Sequence, residues 1–265
     1  TFKIMDMTLK NGRPNSYDSG GSVKIDGYWE NNYGSKGHSP LFQNVLFESN
    51  RAKWSQENNH IGGGAVAGYR SSPSFRDVTF KYNFAPRFGG SVFIEEADTN
   101  KTIIFERIKF IDNHLEPMEG YNVYGGAVYL NGVGKVIFES STFDSNYVQI
   151  NGDCCSNIGG ALYVHNFYDS LIVRNSKFRY NKVYMPDGNN GGQAKAAAIS
   201  IQGGQAHAVI TNSLFLGNSA EASRIYWDGG SNDNTAQGGA IDIQLNQYWT
   251  GSTYVYPYQS ILINN

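Results

Sequence analysis

Residues 125–146 read GGAVYLNGVGKVIFESSTFDSN, and both ends of this stretch recur along the chain. The opening Gly-Gly-Ala-Val returns as a Gly-Gly-(Ala/Ser)-aliphatic motif that begins at residues 20, 63, 89, 125, 159 and 238, with residues 196–199 as a degenerate copy. The closing Phe-Asp-Ser-Asn returns as a Phe-x-x-Asn motif that begins at residues 47, 80, 110, 143, 178 and 215. Self-similarity at a period of roughly 20 to 50 residues indicates a solenoid.

The two motifs alternate strictly along the chain. Leu9 begins the Phe-x-x-Asn series and residues 262–265 continue it, so eight anchors bound seven intervals of about 36 residues. The pattern predicts an all-β fold, a right-handed parallel β-helix of about seven coils, in a single domain that spans residues 1–265.

Stacking the repeats predicts the environment of each column, because strand side chains alternate between two faces. The positions two and four residues after the second glycine are almost wholly aliphatic and are predicted to face the core. The mixed column between them is predicted to face solvent. Its members are Lys24, Ala67, Phe93, Tyr129, Tyr163, Ser200 and Asp242.

Four further features belong to the coil. The motif phenylalanines are predicted to stack inside it, and five residues upstream lies a second inward column of Phe75, Phe105, Phe138, Val173 and Ile210. The asparagines are predicted to form a hydrogen-bonded ladder at a turn, where Asn tolerates left-handed dihedrals. The paired glycines permit a tight bend and a close approach between coils.

Composition and charge exclude some classes of function. With 21 basic and 23 acidic residues, the formal charge of −2 lacks the basic footprint of a nucleic-acid binder. No apolar run approaches the roughly 20 residues of a membrane-spanning helix, so no membrane insertion of this segment is expected. The chain begins at Thr1 and ends inside a repeat, which favours a segment of a longer secreted protein with flanking domains.

The only cysteines, Cys154 and Cys155, are adjacent. This spacing excludes a disulfide framework across the fold and leaves a strained vicinal disulfide or two free thiols.

The alternating motifs resemble the passenger repeats of chlamydial polymorphic membrane proteins and related bacterial surface β-helix proteins, over nearly the whole chain. The coil is also similar to that of pectate-lyase-like β-helices. The resemblance implies a secreted or cell-surface setting, as an autotransporter passenger or a surface-anchored chain, and a role in adhesion. Coil repeats of this type serve many functions, so the activity must be carried elsewhere.

Long, irregular insertions follow each Asn and are predicted to emerge on one side of the solenoid. Aromatic rings among carboxylates and amides suit a sugar-binding groove, because pyranose faces stack on rings while hydroxyls bind polar groups. The predicted ligand-binding residues are Trp54, Tyr121, Tyr124, Tyr184, Tyr226, Trp227, Glu119 and Asp187. The alternative is that these aromatics fold back and pack on the coil.

Asp228 and Asp233 lie in a polar loop that could hold Ca²⁺ through oxygen ligands, and no other cofactor is indicated. Glu95, Glu96 and Asp98 form the densest acidic group, which is more typical of a solvated turn than of a catalytic carboxylate pair. No residue set identifies a reaction. The sequence therefore favours a glycan-binding or adhesive module, with a polysaccharide lyase or hydrolase and a structural stalk as the alternatives.

Overall fold

A computed structural model describes residues 2–14, 18–30, 34–54, 61–115, 121–149, 156–185, 193–203, 207–222, 235–244, 248–249, 254–255 and 260–264. All regular secondary structure in these residues is β, and the strands stack in parallel as a β-solenoid, as predicted. The described ranges contain no helix with the length and apolar character needed to span a membrane.

The strands are short and follow one another in a repeating order. The first coils contain β1 (Lys3–Lys10), β2 (Val23–Asp26), β3 (Tyr28–Glu30), β4 (Gly34–Lys36), β5 (Leu41–Glu48), β6 (Val66–Tyr69), β7 (Ser74–Arg76), β8 (Thr79–Lys81) and β9 (Phe84–Ala85). The middle coils contain β10 (Val92–Glu95), β11 (Thr102–Glu106), β12 (Lys109–Ile111), β13 (His114–Leu115), β14 (Val123–Tyr124), β15 (Val128–Val133), β16 (Lys135–Glu139), β17 (Thr142–Asp144), β18 (Tyr147–Gln149) and β19 (Ser156–Ile158). The last coils contain β20 (Leu162–Phe167), β21 (Ser170–Arg174), β22 (Lys177–Arg179), β23 (Lys182–Met185), β24 (Gln193–Lys195), β25 (Ile199–Gln202), β26 (His207–Thr211), β27 (Leu214–Leu216), β28 (Ser219–Ala222), β29 (Thr235–Gln237), β30 (Ile241–Gln244), β31 (Tyr248–Trp249), β32 (Tyr254–Val255) and β33 (Ser260–Asn264).

Four parallel sheets run along the solenoid. The seven-stranded sheet has the order β2-β6-β10-β15-β20-β25-β30 and carries the residues that follow each Gly-Gly pair. The thirteen-stranded sheet, β27-β22-β17-β12-β8-β5-β7-β11-β16-β21-β26-β33 with β1 on β5, carries the two strands before each ladder Asn. The five-stranded sheet is β28-β23-β18-β13-β9, and the four-stranded sheet is β14-β19-β24-β29. The pairs β3–β4 and β31–β32 are antiparallel.

The main core lies between the seven-stranded and thirteen-stranded sheets, and its columns are those predicted. Equivalent residues of successive coils are in register, for example Val92 with Val128 and Phe110 with Phe143. Six motif phenylalanines stack with ring centroids 4.5 to 5.1 Å apart, from Phe47 to Phe215. A second stack runs from Phe42 to Phe138, at 4.4 to 5.1 Å. Each buried ring stabilises the fold by about 1.5 to 3 kcal/mol.

The predicted Asn ladder is confirmed. Each ladder Asn from Asn50 to Asn181 is fully buried. The backbone N–H and the side-chain amide of each donate to Oδ1 of the Asn in the next coil, at 2.8 to 3.1 Å. From Asn83 onward the amide also donates to a phenylalanine carbonyl oxygen of the preceding coil. The ladder thereby satisfies polar groups that the buried turn would otherwise leave unpaired.

The left-handed backbone at this turn lies one residue before the Asn and not on the Asn itself. Ser49, Tyr82, Asp112, Ser145 and Tyr180 have φ of 50° to 57°. The Asn side chain is therefore selected for its hydrogen bonds rather than for its dihedrals, which corrects that part of the expectation.

A shorter serine ladder was not predicted. Ser141 accepts the N–H of Ile108 at 3.3 Å, Ser176 accepts that of Ser141 at 3.1 Å, and Ser213 accepts that of Ser176 at 3.2 Å. It starts only in the coil of Ser141, because Val78 and Ile108 occupy this column in the preceding two coils. In these coils the serine hydroxyls accept backbone N–H groups at the bend between the two strands that precede the ladder Asn.

The end of the chain departs from the predicted register. Ile263 pairs with Ile210 and Asn264 with Thr211, so β33 belongs to the upstream column and not to the Phe-x-x-Asn series. Leu9, in contrast, pairs with Phe47 as predicted. Five complete coils therefore begin at β6, β10, β15, β20 and β25, with partial coils on both sides, where about seven coils were predicted. The aliphatic strand β33 imitates the Phe-x-x-Asn pattern one column upstream, which accounts for one of the predicted intervals.

Candidate ligand-binding cleft on the insertion edge

The insertion edge is the side of the solenoid formed by the residues between each ladder Asn and the next Gly-Gly pair. Its described parts are not irregular. From the third insertion onward, each insertion begins in the five-stranded sheet and returns through the four-stranded sheet. The first two insertions contain β9 and the isolated bridges of Arg51, Gly62 and Phe88. A second small core lies under the first four insertions and consists of Ala52, Ile61, Ala85, Leu115, Val123 and Val148. The edge is therefore anchored on a packed core of its own, which holds side chains in place as a binding site requires.

An aromatic layer covers the outer face of the seven-stranded sheet. The middle column of this sheet points away from the main core. Lys24 is exposed as predicted and Asp242 is half-buried, but the five positions between them do not face solvent, since Ala67, Phe93 and Ser200 are fully buried and Tyr129 and Tyr163 nearly so. The strands that precede each Gly-Gly fold over this face and cover it with side chains. The covering residues include Phe88, Tyr124 and Ile158.

Tyr124, a predicted ligand-binding residue, belongs to this layer. Its ring lies 5.9 Å from that of Phe88, with parallel planes, and 4.7 Å from that of Tyr163. Burial raises the pKa of the Tyr124 hydroxyl above its usual value. The contacts of Tyr124 are thus those of a packing residue.

The residue after each ladder Asn forms a surface column that we call the post-Asn column. Gly12 takes the place of Asn in the first coil, since its N–H donates to Asn50 Oδ1 at 2.8 Å and its carbonyl oxygen accepts the N–H of Arg51. The column consists of Arg13, Arg51, Phe84, His114, Tyr147, Lys182 and Ser219. Its planar groups stack: the Arg51 guanidinium lies 4.1 Å over the Phe84 ring, and the His114 and Tyr147 rings are 4.7 Å apart and nearly parallel.

A cleft of about 500 Å³ opens at the first three members of this column. It is lined by Arg13, Pro14, Arg51, Ala52, Lys53, Trp54, Phe84 and Pro86. Ala52, Phe84 and Pro86 are buried, whereas the three cationic side chains are exposed. The cleft therefore combines an apolar floor with a cationic rim, at the size range of small-ligand sites.

Trp54 and Tyr121, both predicted from sequence, lie together beside this cleft with ring centroids 6.4 Å apart. Tyr121 is held by Arg87, whose guanidinium lies 4.8 Å over both the Tyr121 and Phe88 rings and whose pKa is lowered by burial. Trp54 lines the cleft, and its Nε1 atom is shielded from solvent and has no acceptor among the described residues.

A second, polar cleft lies where β2, β6 and β10 of the seven-stranded sheet end, and it contains two of the acids singled out in the sequence. Glu95 accepts the Asn131 amide at 3.0 Å, and Glu96 pairs with Arg70 at 3.0 Å. Asp98 lies apart and closes a turn with Lys101 and Asn100. These acids are paired with neighbours, as in a solvated charged surface.

The remaining predicted residues fall in two groups. Tyr184 lies on β23, in a later coil than Tyr121, with the Lys182 ammonium 4.7 Å over its ring. Glu119, Asp187, Tyr226, Trp227, Asp228 and Asp233 lie outside the described residues, as do Cys154 and Cys155. Within the described ranges, no group of three or more His, Cys, Asp or Glu side chains is placed to hold a metal ion.

Sequence reasoning missed Arg13, Arg51, Lys53 and Phe84. The repeat contained the signal for three of them, because extending the Asn column by one residue places Arg13, Arg51 and Phe84 in adjacent coils. In the first coil Gly12 stands at the Asn position, so the Asn pattern alone does not identify Arg13 as a member of this column. No known protein family, curated protein or solved structure matches the chain.

Proposed function

We propose that this chain is a secreted or cell-surface β-helix module that binds a glycan through the cleft at Trp54. The single observation that carries the proposal is the arrangement of Trp54, Phe84 and Arg51 around one opening of about 500 Å³. Aromatic surfaces pack against the apolar face of a pyranose ring, and guanidinium groups donate hydrogen bonds to its oxygen atoms.

The likeness of the repeats to passenger domains of chlamydial polymorphic membrane proteins supports a surface setting and an adhesive role. The location of the cleft agrees with that role. It lies on the insertion edge, beside the second small core and away from the main core, so a ligand can be contacted without any change in the coil.

A glycan array tests the proposal, with wild type compared to Trp54→Ala. We expect Trp54→Ala to weaken binding to each responsive glycan about tenfold or more, since an aromatic anchor at the centre of a site contributes about 2 kcal/mol. Tyr168→Ala is the matched control, because Tyr168 is 58% exposed and lies away from the insertion edge on the turn after β20. Circular dichroism checks that both variants fold.

Equal loss of binding in the two variants, or no loss in Trp54→Ala, would remove the cleft from the proposal. Absence of binding to every glycan on the array would contradict the proposal as a whole and favour the structural stalk.

A further inference from the structure

We infer that Arg87 is a positioning residue of the cleft, which holds the Tyr121 ring against Trp54 and thereby fixes the indole for binding. The inference rests on the proposed function for its purpose, but the contacts that carry it are made without any ligand. Among the described residues, the lining of the cleft includes Pro86 but not Arg87. Arg87 therefore acts on the cleft through its neighbours.

The Trp54 indole depends on packing for its orientation. Its one polar atom is Nε1, and this atom has no acceptor among the described residues. No hydrogen bond to the described part of the chain therefore fixes the ring. The Tyr121 ring packs beside the indole, with the two centroids 6.4 Å apart. The orientation of Trp54 thus depends on where Tyr121 is held.

Arg87 holds the segment of residues 121–124 with both its main chain and its side chain. The Arg87 carbonyl oxygen accepts the N–H of Tyr124 at 3.0 Å. Its guanidinium donates from Nε and Nη2 to the Asn122 carbonyl oxygen, at 3.4 Å each. The same guanidinium lies 4.8 Å over the Tyr121 ring. One residue of the second insertion therefore determines the place of Tyr121 in the third.

The guanidinium is itself anchored on the aromatic layer. It lies 4.8 Å over the ring of Phe88, which is buried and stacks on Tyr124. Burial lowers the pKa of Arg87, but a guanidinium keeps its charge at neutral pH, and a partly desolvated cation interacts more strongly with aromatic rings than an exposed one. Contacts thus run without a break from Phe88 through Arg87 and Tyr121 to Trp54.

These contacts require an arginine. A planar guanidinium offers extended faces to aromatic rings and N–H donors in its plane to a carbonyl oxygen, whereas a lysine ammonium is a compact point charge. Arg87→Lys therefore keeps the positive charge and removes the support of Tyr121.

The test follows the indole Nε1–H resonance of Trp54 by NMR in the whole chain, where Trp54→Phe identifies it by its loss. We expect Arg87→Lys to shift this resonance, because the Tyr121 ring moves relative to the indole, and to weaken binding to the best array glycan roughly fivefold or more. The control is Arg76→Lys, at an exposed arginine that pairs with Glu106 on the thirteen-stranded sheet. It should change neither the resonance nor the affinity.

A double-variant cycle separates positioning from a general loss of stability. Tyr121→Ala should shift the same resonance and weaken binding. Because Arg87 acts through Tyr121, adding Arg87→Lys to Tyr121→Ala should weaken binding by less than about a further twofold. Losses that multiply in the double variant would show that Arg87 supports the site by another route and would overturn the inference.

An unshifted Trp54 resonance in Arg87→Lys would also overturn the inference, whether or not the affinity fell, while the proposed function would still stand on the result for Trp54→Ala. A shifted resonance with unchanged affinity would overturn it too, because the orientation of the indole would then not serve binding. If no glycan bound, the proposed function would be wrong, and the resonance alone would decide whether Arg87 holds Trp54 in place.

Discussion

Asn113 donates both its backbone N–H and its side-chain amide to a single atom, Oδ1 of Asn146, at 3.1 and 3.0 Å. The same amide donates to the Phe80 carbonyl oxygen, and Asn113 Oδ1 accepts two bonds from Asn83. One side chain therefore satisfies hydrogen-bonding groups in three successive coils. Because these groups are buried, this contact joins neighbouring coils at a point where water cannot replace it.

Replacing Asn113 by Ala should destabilise the protein by about 3 to 5 kcal/mol, since it leaves buried donors and acceptors in two neighbouring coils unpaired. Urea unfolding followed by circular dichroism measures this change. Asn100→Ala is the control, because Asn100 is exposed in a turn and its replacement should change stability by less than about 0.5 kcal/mol. Equal effects of the two substitutions would show that the ladder does not join the coils.

Gly126→Ala should destabilise the protein by about 2 to 3 kcal/mol or prevent folding. A Cβ atom there would lie 2.0 Å from the Gly160 carbonyl oxygen and 2.8 Å from that of Tyr147, and both belong to backbone that is fixed in strands or at the next Gly-Gly pair. Thermal unfolding of the purified variant is the measurement.

The matched control for this substitution is Gly239→Ala, in the equivalent position of the last Gly-Gly pair. A Cβ atom at Gly239 would have its nearest described neighbour, the Asn218 carbonyl oxygen, at 3.6 Å, which is ordinary contact. We expect a change of less than about 1 kcal/mol there. If both alanine variants unfolded alike, contact between coils would not be the reason for the glycine pair.

The tyrosines of the aromatic layer should make the protein sensitive to alkali. Burial raises the pKa of Tyr129 and Tyr163 above that of a free phenol, so the folded state holds these protons more tightly than the unfolded chain does. Their stabilising contribution is complete below about pH 10, where unfolded tyrosines are still protonated, and is lost as the pH rises further. The free energy of unfolding should then fall by up to about 1.4 kcal/mol per pH unit for each such tyrosine.

Urea unfolding between pH 9 and pH 11.5 checks this expectation. Tyr129→Phe removes one of the buried ionisable groups and should make the fall with pH shallower by up to about 1.4 kcal/mol per unit. Tyr180→Phe, at a tyrosine that is 57% exposed, should leave the slope of wild type unchanged. Identical slopes for wild type and Tyr129→Phe would contradict a buried hydroxyl at this position.

The coil was predictable from sequence because each of its columns carries one side-chain chemistry. The Phe stack from Phe47 to Phe215 and the Asn ladder from Asn50 to Asn218 are periodic, since every coil must solve the same packing and hydrogen-bonding problem. Periodicity did not reveal what covers the outer face of the seven-stranded sheet. Tyr129 and Tyr163 are buried there by residues from the insertions, which vary in length.

The candidate site was predictable only in part. Trp54 and Tyr121 each lie in a polar insertion, where a large aromatic side chain stands out among polar neighbours in the sequence. Arg13 and Arg51 are 38 residues apart and meet only because Gly12 and Asn50 occupy one column. An aromatic composition alone cannot separate Tyr124, which packs in the aromatic layer, from Tyr121, which lies beside the cleft.

The central claim, that a glycan reaches Trp54, is tested most directly by tryptophan fluorescence during titration with an oligosaccharide of the best array ligand. We expect a saturable change in emission for wild type and no such change for Trp54→Phe. The chain retains Trp29, Trp227 and Trp249 in that variant, so its emission remains measurable. The same saturable change in Trp54→Phe as in wild type would place the ligand elsewhere and contradict the account.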